Sequence, residues 1–595
     1  MNFIRKLEKL LALFVKAFWG YRWGIAFMAL LAFLSGLLEG IGITAIIPLF
    51  SVIGGGEAAS DTISLAIAEL FRMFHLPFTA KFLLIFMAAL FLCKALFLFF
   101  SQEITAKIMA DFEERTRNAL IRATLAAKWP FLSAQKVGHL DQMLTTEVAA
   151  SSSILYYLSS AMLVVANLLV YSVLVFNISA IIALLAFFSG VIIFFAFLPF
   201  LRRVKIISVD IVKENKKLAH FANEHTIGAK TLKAMHLEEQ ALLRGSTLLS
   251  FMRKLYLQTA FFRNLSASLL QLAGVFFVAG LFAFLYKTSA FAFASFAVAV
   301  YALNKVITNV QYAQNQANVM SSQVPYLESI LAYRAEAEAA VEADRGTLPF
   351  RFEKELVFSG VQFAYRPGEP ALSDLTFTIK KGEMIGLIGP SGSGKTTVVD
   401  LLLRLIEPER GSVVLDGRIA GDIRLTEWRT RIGYMSQDVF LLNDTVEHNI
   451  RFYDASITDS DIAAASKMAN IYEFVQNLPQ GFKTVVGERG LSLSVGQRQR
   501  IALARVLARK PELLILDEAT SALDTESETL IQKSIEGLRG RVTIIVIAHR
   551  LSTVEHADRL LVLEKGRIVE EGNPQVLRET EGSRFAELHR FRARH

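Results

Sequence analysis

Gly389-Pro390-Ser391-Gly392-Ser393-Gly394-Lys395-Thr396 is the stretch that decides how this chain is read. It follows an apolar run, Met384–Ile388, and opens a second periodic run, Thr397–Leu405, so a strand should feed a loop that opens a helix. Glycines at these positions let backbone N–H groups close around a phosphate at a helix amino terminus. Lys395 adds a mobile positive charge, and the Thr396 hydroxyl can ligate a divalent cation. A glycine loop alone is a weak signal, whereas this strand–loop–helix setting makes a chance match remote.

Downstream, the buried-type strand Leu513–Leu516 ends in Asp517-Glu518. Two carboxylates at a strand end can be a solvated edge. After an apolar run, with a phosphate loop upstream, they suit metal and water chemistry instead. Asp517 is placed to hold Mg²⁺ through water, and Glu518 to take a proton from an attacking water. Positioning and charge stabilisation are most of what phosphoryl transfer from ATP needs.

Working outward, the 595 residues exceed what one compact core holds, and more than one domain is expected. Hydrophobic residues make up 53% and charged residues 20%, against about 25% charged in soluble proteins. The apolar excess lies before Gln323. The formal net charge of +8 does not read as nucleic-acid binding, because most of the first-half basic residues flank apolar runs. The single cysteine, Cys93, excludes an internal disulfide or a cysteine metal cluster and reads as a small buried hydrophobe.

The expected fold class is an α-helical polytopic membrane domain joined to an α/β phosphate-loop domain. Residues 1–20 read as an amphipathic helix on the membrane face, since Lys9 and Lys16 interrupt every apolar run. Residues 21–322 read as a six-helix membrane domain, 323–349 as a linker with a charged Ala335–Leu348 stretch, and 350–595 as the nucleotide domain. The six spans are placed near Trp23–Phe50, from Lys81 past Phe100, Ile154–Phe176, Ile178–Phe200, Ala260–Tyr286 and Phe291–Val310. Lysines and arginines crowd the loops after the second and fourth spans, which places both termini and the nucleotide domain in the cytoplasm. In the external Ser51–Ala80 segment, after Gly54-Gly55-Gly56, Ile63, Ile67, Leu70, Phe71 and Phe74 predict a one-sided helix. It either rests on the outer membrane surface or packs on neighbouring spans.

Further motifs carry a resemblance. Leu493-Ser494-Val495-Gly496-Gln497-Arg498-Gln499-Arg500, Gln437 in YMSQD, Ser521-Ala522-Leu523-Asp524, His549 in AHRLST and Tyr365 in FAYRP stand in the order found in ATP-binding-cassette proteins. Essentially all of Phe350–His595 resembles that family. The resemblance implies that Tyr365 stacks on adenine, that Gly389, Ser391, Gly392, Ser393, Gly394, Lys395, Thr396 and Thr397 hold the phosphates, and that Thr396, Gln437 and Asp517 hold Mg²⁺. It makes Glu518, Gln437 and His549 the catalytic set. Ser494, Gly496, Gln497 and Asp524 would complete the ATP site of a second subunit in a homodimer. Many family members have glycine where this chain has Val495, but the flanking Ser494 and Gly496 remain. Gly487-Glu488-Arg489-Gly490 and the fused arrangement resemble exporters, in which Trp129–Gly138 and Asn223–Lys233 would seat on a motor domain.

The implied activity is ATP hydrolysis coupled to transport across the cytoplasmic membrane. Leu37–Phe50 with the external helix resembles bacterial flippases of lipid-linked oligosaccharides, so an amphipathic or lipid-linked substrate and membrane lipids are the expected partners. A peptide or drug exporter is the second reading, and a non-transporting channel or regulator the third. For the substrate path, Asn304, Thr308, Gln311, Asn315 and Asn318 fall on one helical face, which lines either a cavity or a helix–helix seam. Glu39 and Lys94 are charges in apolar context that either pair with each other or meet a charged substrate.

Overall fold

The computed structural model describes residues 12–53, 62–136, 138–178, 180–285, 293–490, 492–518, 524–548 and 554–593. The chain divides into two compact units, 1–126 with 135–339, and 127–134 with 340–595.

The first unit is helical. Its long elements are α1 (Arg22–Thr44), α2 (Ala80–Leu125), α3 (Val148–Ile178), α4 (Ala180–Ile227), α5 (Glu238–Leu285) and α6 (Phe293–Ala339). At 1.5 Å per residue, the 46 residues of α2 extend about 70 Å, more than twice a hydrocarbon core of about 30 Å. The helices therefore continue far beyond a bilayer. Among the described residues, four stretches are long and apolar enough to cross a membrane: Ala12–Phe50, Ala80–Leu125, His139–Asn177 and Glu238–Gly280. The expected fourth and sixth spans fall in α4 and α6, and many of the α4 side chains over that stretch lie outside the described ones. The first span breaks at Ala45, before the helix Ile46–Ile53. Pro48 explains the break, because it has no N–H for the Thr44 carbonyl and its ring crowds that turn.

Two expectations about apolar residues change here. Cys93 is exposed on the outer face of α2, beside exposed Leu92 and Leu96. A lipid-facing surface and a protein core share one composition, so hydropathy could not separate them. The external helix Thr62–Met73 puts Ile67 and Phe71 into a cluster with Ala45 and Leu83, and Phe71 makes edge contacts with Phe78 and Phe86. It packs on neighbouring spans with that face, while Leu65, Met73 and Phe74 stay exposed. Gly54–Gly56 lie outside the described residues.

The second unit holds two sheets. The antiparallel sheet runs β2 (Glu369–Lys380), β1 (Glu355–Arg366), β4 (Arg410–Leu415), β5 (Arg418–Ile419). The other runs β10 (Arg567–Gly572), β9 (Arg559–Glu564), β3 (Met384–Ile388), β8 (Thr543–Ile547), β7 (Leu513–Asp517), β6 (Ile432–Met435), parallel except at the β10 edge. Its inner strands are buried on both faces. The two-residue side-chain period divides them between two cores: Leu514, Leu516, Ile544 and Val546 enter one, and Leu513, Ile515, Ile545 and Ile547 the other. The site-bearing helices are α7 (Lys395–Leu402), α8 (Leu425–Arg431), α9 (Val495–Ala508) and α10 (Thr525–Leu538). The segment 323–339, assigned above to the linker, continues α6 as helix. Its alanine- and glutamate-rich sequence suits that state.

Candidate functional site

Because β3, β8 and β7 are parallel neighbours, their carboxyl ends share one edge. That edge is where open α/β sheets bind ligands. The loop 389–394 leaves β3 there, and Asp517-Glu518 leave β7. A Cβ on Gly389 would stand 2.1 Å from the Leu563 carbonyl oxygen, and Gly394 has φ 106 with the Ala371 carbonyl oxygen 2.9 Å from where its Cβ would be. No other residue fits either position. Buried Lys395 donates from Nζ to the Gly389 and Pro390 carbonyls, both at 3.0 Å, so its ammonium lies over the loop. Ser393 Oγ is buried without a hydrogen-bond partner. An orphaned hydroxyl on a glycine-rich loop that opens a helix fits a phosphate oxygen.

Thr396 is exposed on the first turn of α7, whereas Thr397 is buried with its hydroxyl 3.4 Å from the Tyr365 hydroxyl. Tyr365 is 60% exposed, edge-on to Phe363, and reaches Asp400 at 3.4 Å. Its ring face is available at the edge of the loop. Glu518 holds φ 52, a left-handed conformation a non-glycine residue rarely keeps outside functional sites. Its N–H donates to the Ile547 carbonyl at 3.0 Å, and Gln437 Nε2 donates to its carboxylate at 2.6 Å. Asp517 accepts a long bond from the Tyr434 hydroxyl at 3.5 Å. Burial and then the neighbouring Glu518 carboxylate push the Asp517 pKa up, and burial followed by Asp517 raises that of Tyr434. Tyr434 escaped the sequence reading, although it stands in the same YMSQD run as Gln437. Thr396, Gln437 and Asp517 each carry an oxygen of the kind a hard divalent cation takes.

The signature segment is a helix start. Ser494 caps α9 by accepting from the Gln497 N–H at 3.2 Å, while Gln497 Oε1 accepts from the Ser494 N–H at 2.9 Å. Val495 is the first helical residue, and Gly496 is buried. Asp524 caps α10 by accepting from the Ser527 N–H at 3.1 Å, a bond that holds its carboxyl below the ordinary range. The structure thus gathers the phosphate loop, Tyr365, Gln437, Asp517 and Glu518, and shows Ser494, Gln497 and Asp524 as capped helix starts. His549 and 521–523 lie outside the described residues.

Two family descriptions match the chain: "ABC transporter" over residues 372–521 and "ABC transporter transmembrane region" over 25–310. The "Heterocyst differentiation ATP-binding protein HepA" of Nostoc sp. is 31% identical over 494 residues, 82% of this chain and 81% of that protein. This chain is an ABC transporter. It is a multi-pass membrane protein that couples ATP hydrolysis to transport. The "ATP-dependent lipid A-core flippase" of Chromobacterium violaceum is 42% identical to the transporter over 301 residues, 49% of this chain and 50% of the flippase. That of Vibrio cholerae is 46% identical over 243 residues, 40% and 42%. The transporter thus matches about half or less of each flippase's length. The solved structure of a bacterial Atm1-family ABC exporter with ATP bound superposes with TM-score 0.75 at 22% identity, covering 96% of this chain and 99% of that one, and gives the transporter an exporter fold.

In the transporter's membrane unit, Glu39 is 5% exposed and bonds Lys94 at 3.0 Å and Lys305 at 3.1 Å. The Glu39–Lys94 pairing was one of the two sequence alternatives. Lys305, one residue from Asn304, was missed. Asn304, Thr308 and Gln311 line a cavity of about 830 Å³ with Gln271, Phe282 and Phe296. Gln311 and Asn315 line an adjoining one of about 390 Å³ with Arg263 and Gln314. Four residues of the polar stripe therefore face open space, and Gln311 also reaches the Ala267 carbonyl at a long 3.5 Å. The Asn318 side chain lies outside the described ones.

Proposed function

We propose that the chain is an ATP-driven flippase of a lipid or lipid-linked molecule, working as a homodimer in the cytoplasmic membrane with its nucleotide domains in the cytoplasm. The observation that carries this reading is the mixed lining of the cavity on α5 and α6. Polar Asn304, Thr308, Gln311 and Gln271 share it with apolar Phe282, Phe296, Val275 and Val300. A polar headgroup and an apolar tail each find matching side chains there. The names of the flippase relatives point the same way. Basic residues flanking the inner ends of the spans support the cytoplasmic placement.

In the motor, backbone amides of the loop and Lys395 hold the ATP phosphates, and Ser393 Oγ gains a phosphate acceptor for its proton. Tyr365 offers its exposed ring to adenine. Mg²⁺, when bound, neutralises phosphate charge, and Thr396, Gln437 and Asp517 are its donors. Glu518 orients the attacking water and takes its proton, with Gln437 holding the carboxylate until the site closes. His549, by its place in the AHRLST motif, is assigned to the γ-phosphate. Ser494 can still donate its hydroxyl proton while its oxygen serves the cap, so it and the Gly496 amide, at the start of α9, complete the partner subunit's site together with Gln497 and Asp524.

The test is reconstitution into liposomes carrying a fluorescent lipid-linked glycan, a fluorescent phospholipid or a fluorescent peptide. ATP-dependent movement of a lipid probe is expected. Movement of peptide alone would replace the flippase reading. In parallel, mixing Lys395→Ala chains with Ser494→Arg chains should restore activity through one intact composite site, and full activity in either variant alone would remove the head-to-tail dimer.

A further inference from the structure

The carbonyl of the last residue of α7 and the two that follow it, at the end opposite the phosphate loop, are held by side chains of α8. Buried Trp428 donates its indole N–H to the Leu402 carbonyl at 2.7 Å. Arg429 donates Nε to the Leu403 carbonyl at 3.0 Å and Nη2 to the Arg404 carbonyl at 2.8 Å. A guanidinium at a helix carboxyl end satisfies orphan carbonyls and suits the helix dipole.

The same Arg429 forms a two-pronged pair with Glu342 in the linker, at 2.6 and 2.7 Å. Two residues on, Asp344 accepts the N–H of Leu425, the first residue of α8, at 3.0 Å on each carboxylate oxygen, and the N–H of Gly346 at 3.1 Å. The linker thus grips α8 at both ends. It is also fixed in place: the Thr347 and Leu348 N–H groups donate to the Asp422 carbonyl at 2.9 Å, and a Cβ on Gly346 would stand 2.1 Å from the Ile423 carbonyl oxygen. Just before Glu342, Ala340 accepts the Lys128 N–H at 2.8 Å and Val341 bridges Ala127. Ala340 follows the last residue of α6 by one peptide bond.

We propose that Glu342 and Asp344 are positioning residues for ATP binding, setting the place of α7, and with it the phosphate loop, through Arg429 and Trp428. The eight residues of α7 are about 12 Å long and move as one rod, so a shift at its carboxyl end appears at the loop. A forked arginine–carboxylate pair fixes direction as well as distance, which a solvated charged linker does not. The linker therefore reaches the nucleotide site through α8 and α7, along a route that uses neither Gln437 nor the signature helix. This inference rests on ATP binding at the loop and is independent of what is transported.

The test is steady-state ATP hydrolysis by the full-length protein in phosphatidylethanolamine–phosphatidylglycerol nanodiscs, with KM and kcat measured separately. Glu342→Gln and Arg429→Gln should each raise the KM for MgATP about three- to tenfold with kcat within about twofold, and the double variant should be no worse than either single. A linker that only holds the parts together would lower the melting temperature and the active fraction while leaving KM unchanged, and that result would overturn the proposal. Additive KM effects in the double variant would overturn it as well. If Arg429→Gln does not fold, Arg429→Lys keeps the charge and loses the fork, and the same rise in KM is expected.

Discussion

Two carboxylates, one in each unit, are treated in opposite ways. Glu39 is buried in the membrane unit with a lysine on either side, Lys94 from α2 and Lys305 from α6. Asp517, partly buried at the carboxyl end of β7, has a second carboxylate as its neighbour and a tyrosine hydroxyl at long range, and its pKa is pushed up. In the first case the protein supplies the counter-charge itself, so the carboxylate ties three helices together. In the second the environment disfavours the bare anion, the setting in which a carboxylate gains from the approach of a cation. A carboxylate in a hydrophobic setting is therefore structural or chemical according to what the fold brings within about 4 Å of it.

The sharpest break in that comparison is Glu518→Gln. It should cut ATP hydrolysis by about 10²–10⁴-fold, the usual worth of a general base, while nucleotide binding persists. Hydrolysis at the native rate, followed by phosphate release, would remove Glu518 from its role.

Next in size is Glu39→Gln, which leaves two lysines without their shared partner. A loss of about 3–5 kcal/mol is expected for breaking a buried ion pair from one side, read as a lower melting temperature in detergent. Adding Lys305→Met should recover part of it. An unchanged melting curve for Glu39→Gln would mean the cluster does not hold α1, α2 and α6 together.

The external helix offers a third test. Phe71 is 1% exposed and Phe74 61%. Phe71→Ala should cost about 3 kcal/mol and Phe74→Ala almost nothing, compared in the same thermal assay. Equal effects would contradict the packed face.

Gln311→Leu with Asn315→Leu should abolish stimulation of ATPase by the transported substrate and leave basal ATPase within about twofold, because both line cavities of the membrane unit. A fall in melting temperature with stimulation intact would make the stripe a helix seam.

The smallest effect concerns pH. With Asp517 as the proposed Mg²⁺ donor, its raised pKa makes protons compete with the metal above the ordinary aspartate value of about 3.9. As pH falls towards that raised value, the KM for MgATP should climb in the native protein and stay flatter in Asp517→Asn, a difference of a fewfold.

How much could be read in advance differs between the units for a physical reason. The phosphate loop, the carboxylate pair after β7 and the cap at Ser494 depend on residues close in sequence, where backbone geometry dictates residue type. The Glu39 cluster depends on side chains from three helices. Periodicity placed Glu39 and Lys94 in spans, but nothing local marked Lys305 as the second partner. Trp428 and Arg429 likewise read as ordinary helix residues until their donors are seen on the α7 carbonyls.

Sequence by itself determined that a helical membrane unit joins an α/β motor, which loop has the phosphate-binding pattern, and which face of α6 is polar, because each follows from local spacing and hydropathy. Tertiary structure decided which apolar faces are buried and which are left outside. Cys93 and Phe71 are equally hydrophobic readings with opposite fates, since burial depends on which helices lie alongside. It also decided that the charged linker is part of the motor, because Glu342 and Asp344 acquire a role only when the fold brings Arg429 and the Leu425 amide within hydrogen-bond reach.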